Sequence, residues 1–340
     1  MHSSVRCASR HFLVAASCVA TALLLAVAPV AAQELEDWQR DELEPLVDVV
    51  ASALDGELVP QDDPFALVPT FIKATDGNTY VPFTLTLEPD SVGDSVAIYL
   101  YIDEHRDVPV ERDDDERPEA IWEEAHFVDV SESDGVVRIS RAFTVPGGTY
   151  DVYVAIRDSA GADGDREDDP TVLLLREEVE VPDFWTPDLQ LSTILIAEAI
   201  EPLAMQLTPE QQVLRPYALG PFEIVPKFEL DFERDEQFAP LFFVYNAGVQ
   251  DGAKPNVTVE FDFHQQTADG EEFFNRTSPQ EFNGQTLPPD FDLTIGHQIV
   301  AGQQIPLSIF PAGSYRLEIK VTDNTSGSVV THNVAFSVGA

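Results

Sequence analysis

Residues 143–158, FTVPGGTYDVYVAIRD, return in altered form at 308–323 as SIFPAGSYRLEIKVTD. At an offset of 165, Pro146, Gly148, Tyr150 and Asp158 recur as Pro311, Gly313, Tyr315 and Asp323, while Val152, Val154 and Ile156 become Leu317, Ile319 and Val321. A Pro-Gly turn, a Tyr heading a run of period two and an Asp closing it spell one strand of a β-hairpin. Two copies that far apart confine the chain to two related units, each ending in the same hairpin. In such units Tyr150 and Tyr315 hydrogen-bond across the corner, as in immunoglobulin-type sandwiches.

Period two runs through much of the remainder. In SVAIYLYIDEH, Val96, Ile98, Leu100 and Ile102 point one way and Tyr99, Tyr101 and Asp103 the other. Phe83, Leu85 and Leu87 alternate with threonines, and Val257, Val259, Phe261 and Phe263 repeat the pattern in the second half. Further strands are read at AHFVDVS, TVLLLREEVEV, FAPLFFVYNA, QQIPLSIF and SVVTHNVAFSV, and LTPEQQVL forms a helical turn capped at Thr208. Residues 34–55 instead carry Leu46, Val49, Val50, Ala53 and Leu54 at helical spacing before Gly56. The segment VPDFWTPDL at 181–189 interrupts the alternation and marks the junction, with Phe184 and Trp185 plugging it. The expected fold is all-β: two tandem immunoglobulin-like antiparallel β-sandwiches, at 64–182 and 183–340, behind an N-terminal helix and linker at 33–63.

The chain opens with Arg6 and Arg10, a long apolar run and the small residues Val30, Ala31 and Ala32. That is the pattern of a secretory signal peptide, here residues 1–32, and it predicts a periplasmic or extracellular protein. Both cysteines, Cys7 and Cys18, fall inside the leader, so the expected mature chain holds no disulfide, thiolate metal site or cysteine nucleophile. No later segment has the apolar length of a membrane helix. The formal net charge is −42 and lysine occurs only at Lys73, Lys227, Lys254 and Lys320. Such a surface repels nucleic acid and anionic lipid, and its acidity fits a protein that works in high salt.

Residues 145–197, VPGGTYDVYVAIRD followed by VEVPDFWTPDLQLSTILIA, resemble the C-terminal region of bacterial exported proteins called von Willebrand factor A-related. The phrases FFVYNAG and FPAGSYRLEIKVTD resemble the C-terminal sandwich of related exported proteins with a Gly-Trp-x-Thr-Asp domain. The chain lacks the Gly-Trp-x-Thr-Asp sequence and the Asp-x-Ser-x-Ser metal motif, which DLQLS at 188–192 approaches without the middle serine. The resemblance implies a sandwich fold, export and an interaction role, and names no ligand.

Chemistry is sparsely signalled. His105, His126, His264, His297 and His332 have no zinc-site spacing and are read as surface or turn residues; EEAHF at 123–127 lacks the second histidine of a zincin. No Gly-x-Ser-x-Gly elbow or phosphate loop occurs. Asp158, Asp163, Asp165, Asp168 and Asp169 gather in RDSAGADGDREDDP at 157–170, where hard oxygens suit calcium, although the spacing misses an EF-hand. The run ERDDDER at 111–117 reads as a solvated hairpin tip. Tyr99, Tyr101 and Tyr153 fall on outward parity, either as an aromatic face for a protein or glycan or as the floor beneath the N-terminal helix. Sequons at Asn256, Asn275 and Asn324 are not expected to carry glycans in a bacterial protein.

These features predict an exported, non-enzymatic binding or scaffolding protein of the bacterial cell envelope, acting through protein contacts and requiring no cofactor. A calcium-stabilised adhesion or carbohydrate-binding module is the alternative. An envelope hydrolase with an unsignalled carboxylate pair is the lesser one.

Overall fold

The computed structural model describes residues 35–60, 64–74, 76–88, 91–106, 120–130, 135–162, 171–205, 207–249 and 254–339. The leader, the 111–117 run and the distal aspartates of the acidic loop lie outside these residues.

Helix α1 (Asp37–Leu54) is opened by the Glu36 N–H, which donates to Gln39 Oε1 at 2.9 Å. Eight strands follow: β1 (Ala66–Pro69), β2 (Ile72–Lys73), β3 (Asn78–Leu87), β4 (Ser95–Glu104), β5 (Trp122–Asp129), β6 (Val137–Pro146), β7 (Gly148–Asp158) and β8 (Leu173–Val181). One sheet sets β6 along one edge of β3 and β1 and β2 in succession along the other. The facing sheet runs β5-β4-β7-β8. Alternate residues of both sheets, among them Val81, Phe83, Ile98, Leu100, Phe143 and Val154, close a single core. This is an antiparallel sandwich, and the inward parity read from the sequence is the one that faces the core between its sheets.

The second sandwich is built from β9 (Gln190–Leu191), β10 (Leu195–Pro202), α2 (Pro209–Leu214), β11 (Ala218–Leu219), β12 (Phe222–Pro226), β13 (Asp231–Phe232), β14 (Gln237–Phe238) and β15 (Pro240–Tyr245). It continues through β16 (Val257–Thr267), β17 (Gly270–Arg276), β18 (Gln280–Phe282), β19 (Ile299–Gly302), β20 (Ile305–Pro306), β21 (Gly313–Asp323) and β22 (Val329–Val338). One sheet runs β11-β12-β10-β15-β19 and the other β13-β22-β21-β16-β17; among the described residues only β13 and β22 pair in parallel. Phenylalanines from both, including Phe242, Phe261, Phe263 and Phe336, fill the core together with Phe310 from the connection between β20 and β21. QQIPLSIF departs from its expected strand: after Pro306, which has no N–H for a ladder, Leu307–Ile309 turn as a 3-10 helix.

The repeated phrases occupy corresponding strands, β7 and β21, with matching bounds. Each tyrosine makes the predicted corner: Tyr150 Oη donates to the Pro146 carbonyl at 3.0 Å and Tyr315 Oη to the Pro311 carbonyl at 2.6 Å. The outward positions differ. Tyr153 and Ala155 are buried under α1, whereas their counterparts Glu318 and Lys320 lie on a solvated face, Lys320 pairing with Glu260 at 2.9 Å. The polar face needs no cover, and the apolar one does.

The two sandwiches share a small core at their junction, in which Ile72, Ala74 and Tyr80 meet Leu195, Tyr217, Leu219 and Ile224. Polar groups there are paired across it. Tyr80 Oη donates to the Pro216 carbonyl at 2.9 Å, Thr84 Oγ1 lies 3.1 Å from Tyr217 Oη, and the Phe71 and Thr193 backbones bond through the Thr193 hydroxyl and N–H. Phe184 is buried against Tyr245, while Trp185 remains half-exposed, with Lys73 Nζ 4.4 Å above its ring.

Candidate functional site

Tyr99, Tyr101 and Tyr153 do lie side by side on β4 and β7, with the Tyr101 and Tyr153 rings 6.2 Å apart. They form no open binding face. Leu43, Leu46 and Val50 of α1 close over them, and none of the three is more than 5% exposed. Period two required a second apolar side on these strands because both of their faces are covered. Beside Leu43, Glu42 accepts the Ala160 N–H at 2.9 Å and stands 3.5 Å from Arg157 Nε.

Asp158 accepts the Gly93 N–H at 2.6 Å, and its counterpart Asp323 accepts the Gly248 N–H at 2.9 Å. In both sandwiches this aspartate ties the end of the repeated strand to the loop before its neighbour. Asp163, Asp165, Asp168 and Asp169 lie outside the described residues. Among the described residues no three carboxylate, histidine or cysteine groups converge as metal ligands.

Register creates a charged row that alternation alone did not announce. Asp103 lies opposite Asp151, and Asp151 opposite Glu178, on three neighbouring strands. Like charges placed directly across a ladder repel. Here Arg106 Nη1 approaches Asp103 at 3.2 Å, Arg176 Nη2 donates to Asp151 at 3.0 Å, and His105 sits between Asp151 (3.2 Å) and Glu178 (3.4 Å). Each carboxylate of the row thus has a basic neighbour.

Inside the first sandwich, Glu124 and His126 of β5 and Arg141 of β6 point into the core. His126 is therefore buried rather than a surface residue, because it falls on the inward parity of its strand with Trp122 and Glu124. His126 Nε2 is 3.5 Å from Glu124 Oε2, and neither His126 Nε2 nor Arg141 Nε has a hydrogen-bond partner. Burial lowers the Arg141 pKa, and the Glu124 charge opposes that shift. The lysine at the junction shows a similar balance: burial lowers the Lys73 pKa against the pull of Asp183.

A concave site of the second sandwich is a cleft of 310 Å³ at a bulge in β10, lined by Glu198, Ile200, Lys227, Asp235, Gln237 and Gln304 among others. Glu198 is the extra residue where the β10–β12 register shifts. On the far side of β10 the last backbone bond runs from Ala197 N–H to the Ala239 carbonyl at 2.9 Å. Beyond it the chain turns away, because β14 pairs with β20 instead. Ile224 N–H bonds to the Tyr217 carbonyl, on the side away from β10, so Ile200 and Ile224 face each other as a non-hydrogen-bonded pair. The N–H and C=O of Ile200 consequently point into the cleft. Lys227 Nζ donates to Glu236 at 3.1 Å, leaving Glu198 and Asp235 without an ion-pair partner among the described residues. Sequence reasoning missed this site because bulge and register are set by strand pairing.

No protein-family model matches the chain, and no curated protein matches it. Among solved structures it is similar to an immunoglobulin-like protein from Pseudomonas aeruginosa, at 13% identity over 43% of this chain and 96% of that one, TM-score 0.21. It is also similar to E. coli alpha-2-macroglobulin in its native conformation, at 13% identity over 83% of this chain and 16% of that one, TM-score 0.20. The fold assignment rests on the sheets and cores themselves.

Proposed function

We propose that this protein is an exported, non-catalytic binding or scaffolding protein of the bacterial cell envelope that acts through protein contacts. The observation that carries the reading is the junction, where a shared core and paired buried polar groups hold one sandwich in a fixed relation to the other. A scaffold must keep its surfaces in register, and a flexible tether would not serve. The leader pattern at 1–32 and the resemblance at 145–197 support export and an interaction role. Among the described residues no helix is long and apolar enough to cross a membrane.

The test is to immobilise residues 33–340 and capture cross-linked partners from the native envelope, with calcium and with chelator. One protein enriched under both conditions is the expected result. Enrichment only with calcium would favour the calcium-stabilised module, and an empty capture with binding to immobilised polysaccharide would replace the protein partner with a glycan.

A further inference from the structure

We propose that the open edge of β10 receives an extended, basic segment of a partner protein, added as a strand beside Ile200. The proposal rests on the binding role above and gives it a place. Three features converge on one cleft. The Ile200 N–H and C=O face outward from the ladder, so an added strand gains an exchanged pair of backbone bonds without displacing β12. Gln237 and Gln304 also line the cleft, and a glutamine amide can both donate to and accept from a peptide backbone. The walls also carry Glu198 and Asp235, while the only lysine among the lining residues is taken by Glu236.

Charge decides the class of occupant. A second copy of this edge would bring its own Glu198 and Glu201 against the same residues, and like charges across a ladder are unfavourable. A strand with lysine or arginine at alternate positions pairs with Glu198 and Asp235 instead. The bulge at Glu198 and the missing N–H of Pro202 keep the open stretch short, which limits self-association while leaving Ile200 available.

The experiment uses the full mature chain and labelled ten-residue probes, read by fluorescence anisotropy: alternating Lys-Val, alternating Glu-Val, and Lys-Val with alternate amides N-methylated in either phase. Binding of the Lys-Val probe, absence of the Glu-Val probe and loss on N-methylation in one phase are expected. Ile200→Pro removes the outward N–H without removing a bond to β12, and should weaken the Lys-Val probe about tenfold. Should that variant fold poorly by circular dichroism, Glu198→Lys with Asp235→Lys, both surface changes, should abolish Lys-Val binding and admit Glu-Val. No binding of the Lys-Val probe, or binding indifferent to N-methylation or to the charge reversal, overturns the proposal. The envelope capture is read separately, so a partner recovered there with no probe binding here keeps the scaffold and discards this edge.

Discussion

The phenol of Tyr80, buried in the first sandwich, donates to the carbonyl of Pro216 in the second at 2.9 Å. Burial pushes the Tyr80 pKa well upward, so the phenol is a protonated donor at neutral pH. Tyr80→Phe leaves a buried carbonyl unpaired and should cost about 1–3 kcal/mol. In urea, fluorescence and far-ultraviolet dichroism should show a lower midpoint and one transition for both sandwiches. Two separated transitions in the wild type would mean the junction does not couple them.

Asp323 gives a sign for the response to acid. Burial alone would raise its pKa, but hydrogen bonds from Ser326, Gly248 and Thr325 outweigh it and hold the carboxyl below its ordinary value. The folded pKa is thus lower than the unfolded value of about 3.9, so its stabilisation is present above that pH and lost as pH falls through the folded pKa. Melting temperatures of wild type and Asp323→Asn should differ at pH 6, start to approach each other below about pH 4, and converge only as pH falls through the lower folded pKa. A gap that widens in acid would contradict this.

Glu124 is the charge that opposes the desolvation of Arg141. No direct ion pair joins the two side chains, so Glu124→Gln should destabilise by less than the ~3–5 kcal/mol of breaking a contacting buried pair, and Glu124→Leu with Arg141→Met should lose less than Glu124→Gln alone. Thermal unfolding of the two variants decides it: equal losses would show that the charges are not coupled.

Gly147 and Ala312 are counterparts in the repeat, yet only the first must be glycine. A Cβ at Gly147 would stand 2.5 Å from the Cβ of Asp183 and 2.6 Å from its Cα, where the chain leaves the first sandwich. Gly147→Ala should destabilise by about 1–3 kcal/mol through overpacking. Ala312→Gly should cost under about 1 kcal/mol. A reversed order in the denaturation midpoints would refute the steric account.

The net charge of −42 predicts salt dependence. Screening shortens the Debye length from about 10 Å at 0.1 M to about 3 Å at 1 M, weakening carboxylate repulsion on the surface. Melting temperature should rise with KCl across that range, and a flat response would remove the case for a saline setting.

Much of this fold is local, and local chemistry can be read along a line. Period two in Val96–Ile102 and Val257–Phe263 fixed which side chains turn inward, and Pro146-Gly148-Tyr150 with Pro311-Gly313-Tyr315 announced two matching corners, because a turn and the strand it feeds are set by neighbours in sequence. Which surfaces would be covered was not legible in this way. Tyr99, Tyr101 and Tyr153 allowed a binding face or the floor of α1, and docking of the helix made them the floor; His126 became a core residue; and the row of Asp103, Asp151 and Glu178 arose from register between strands distant in the chain. The cleft at Ile200 depends on a single bulge and on β14 choosing β20 over β10. Pairing and docking are settled by the burial and hydrogen-bond satisfaction of the whole chain, so only the tertiary structure could decide them.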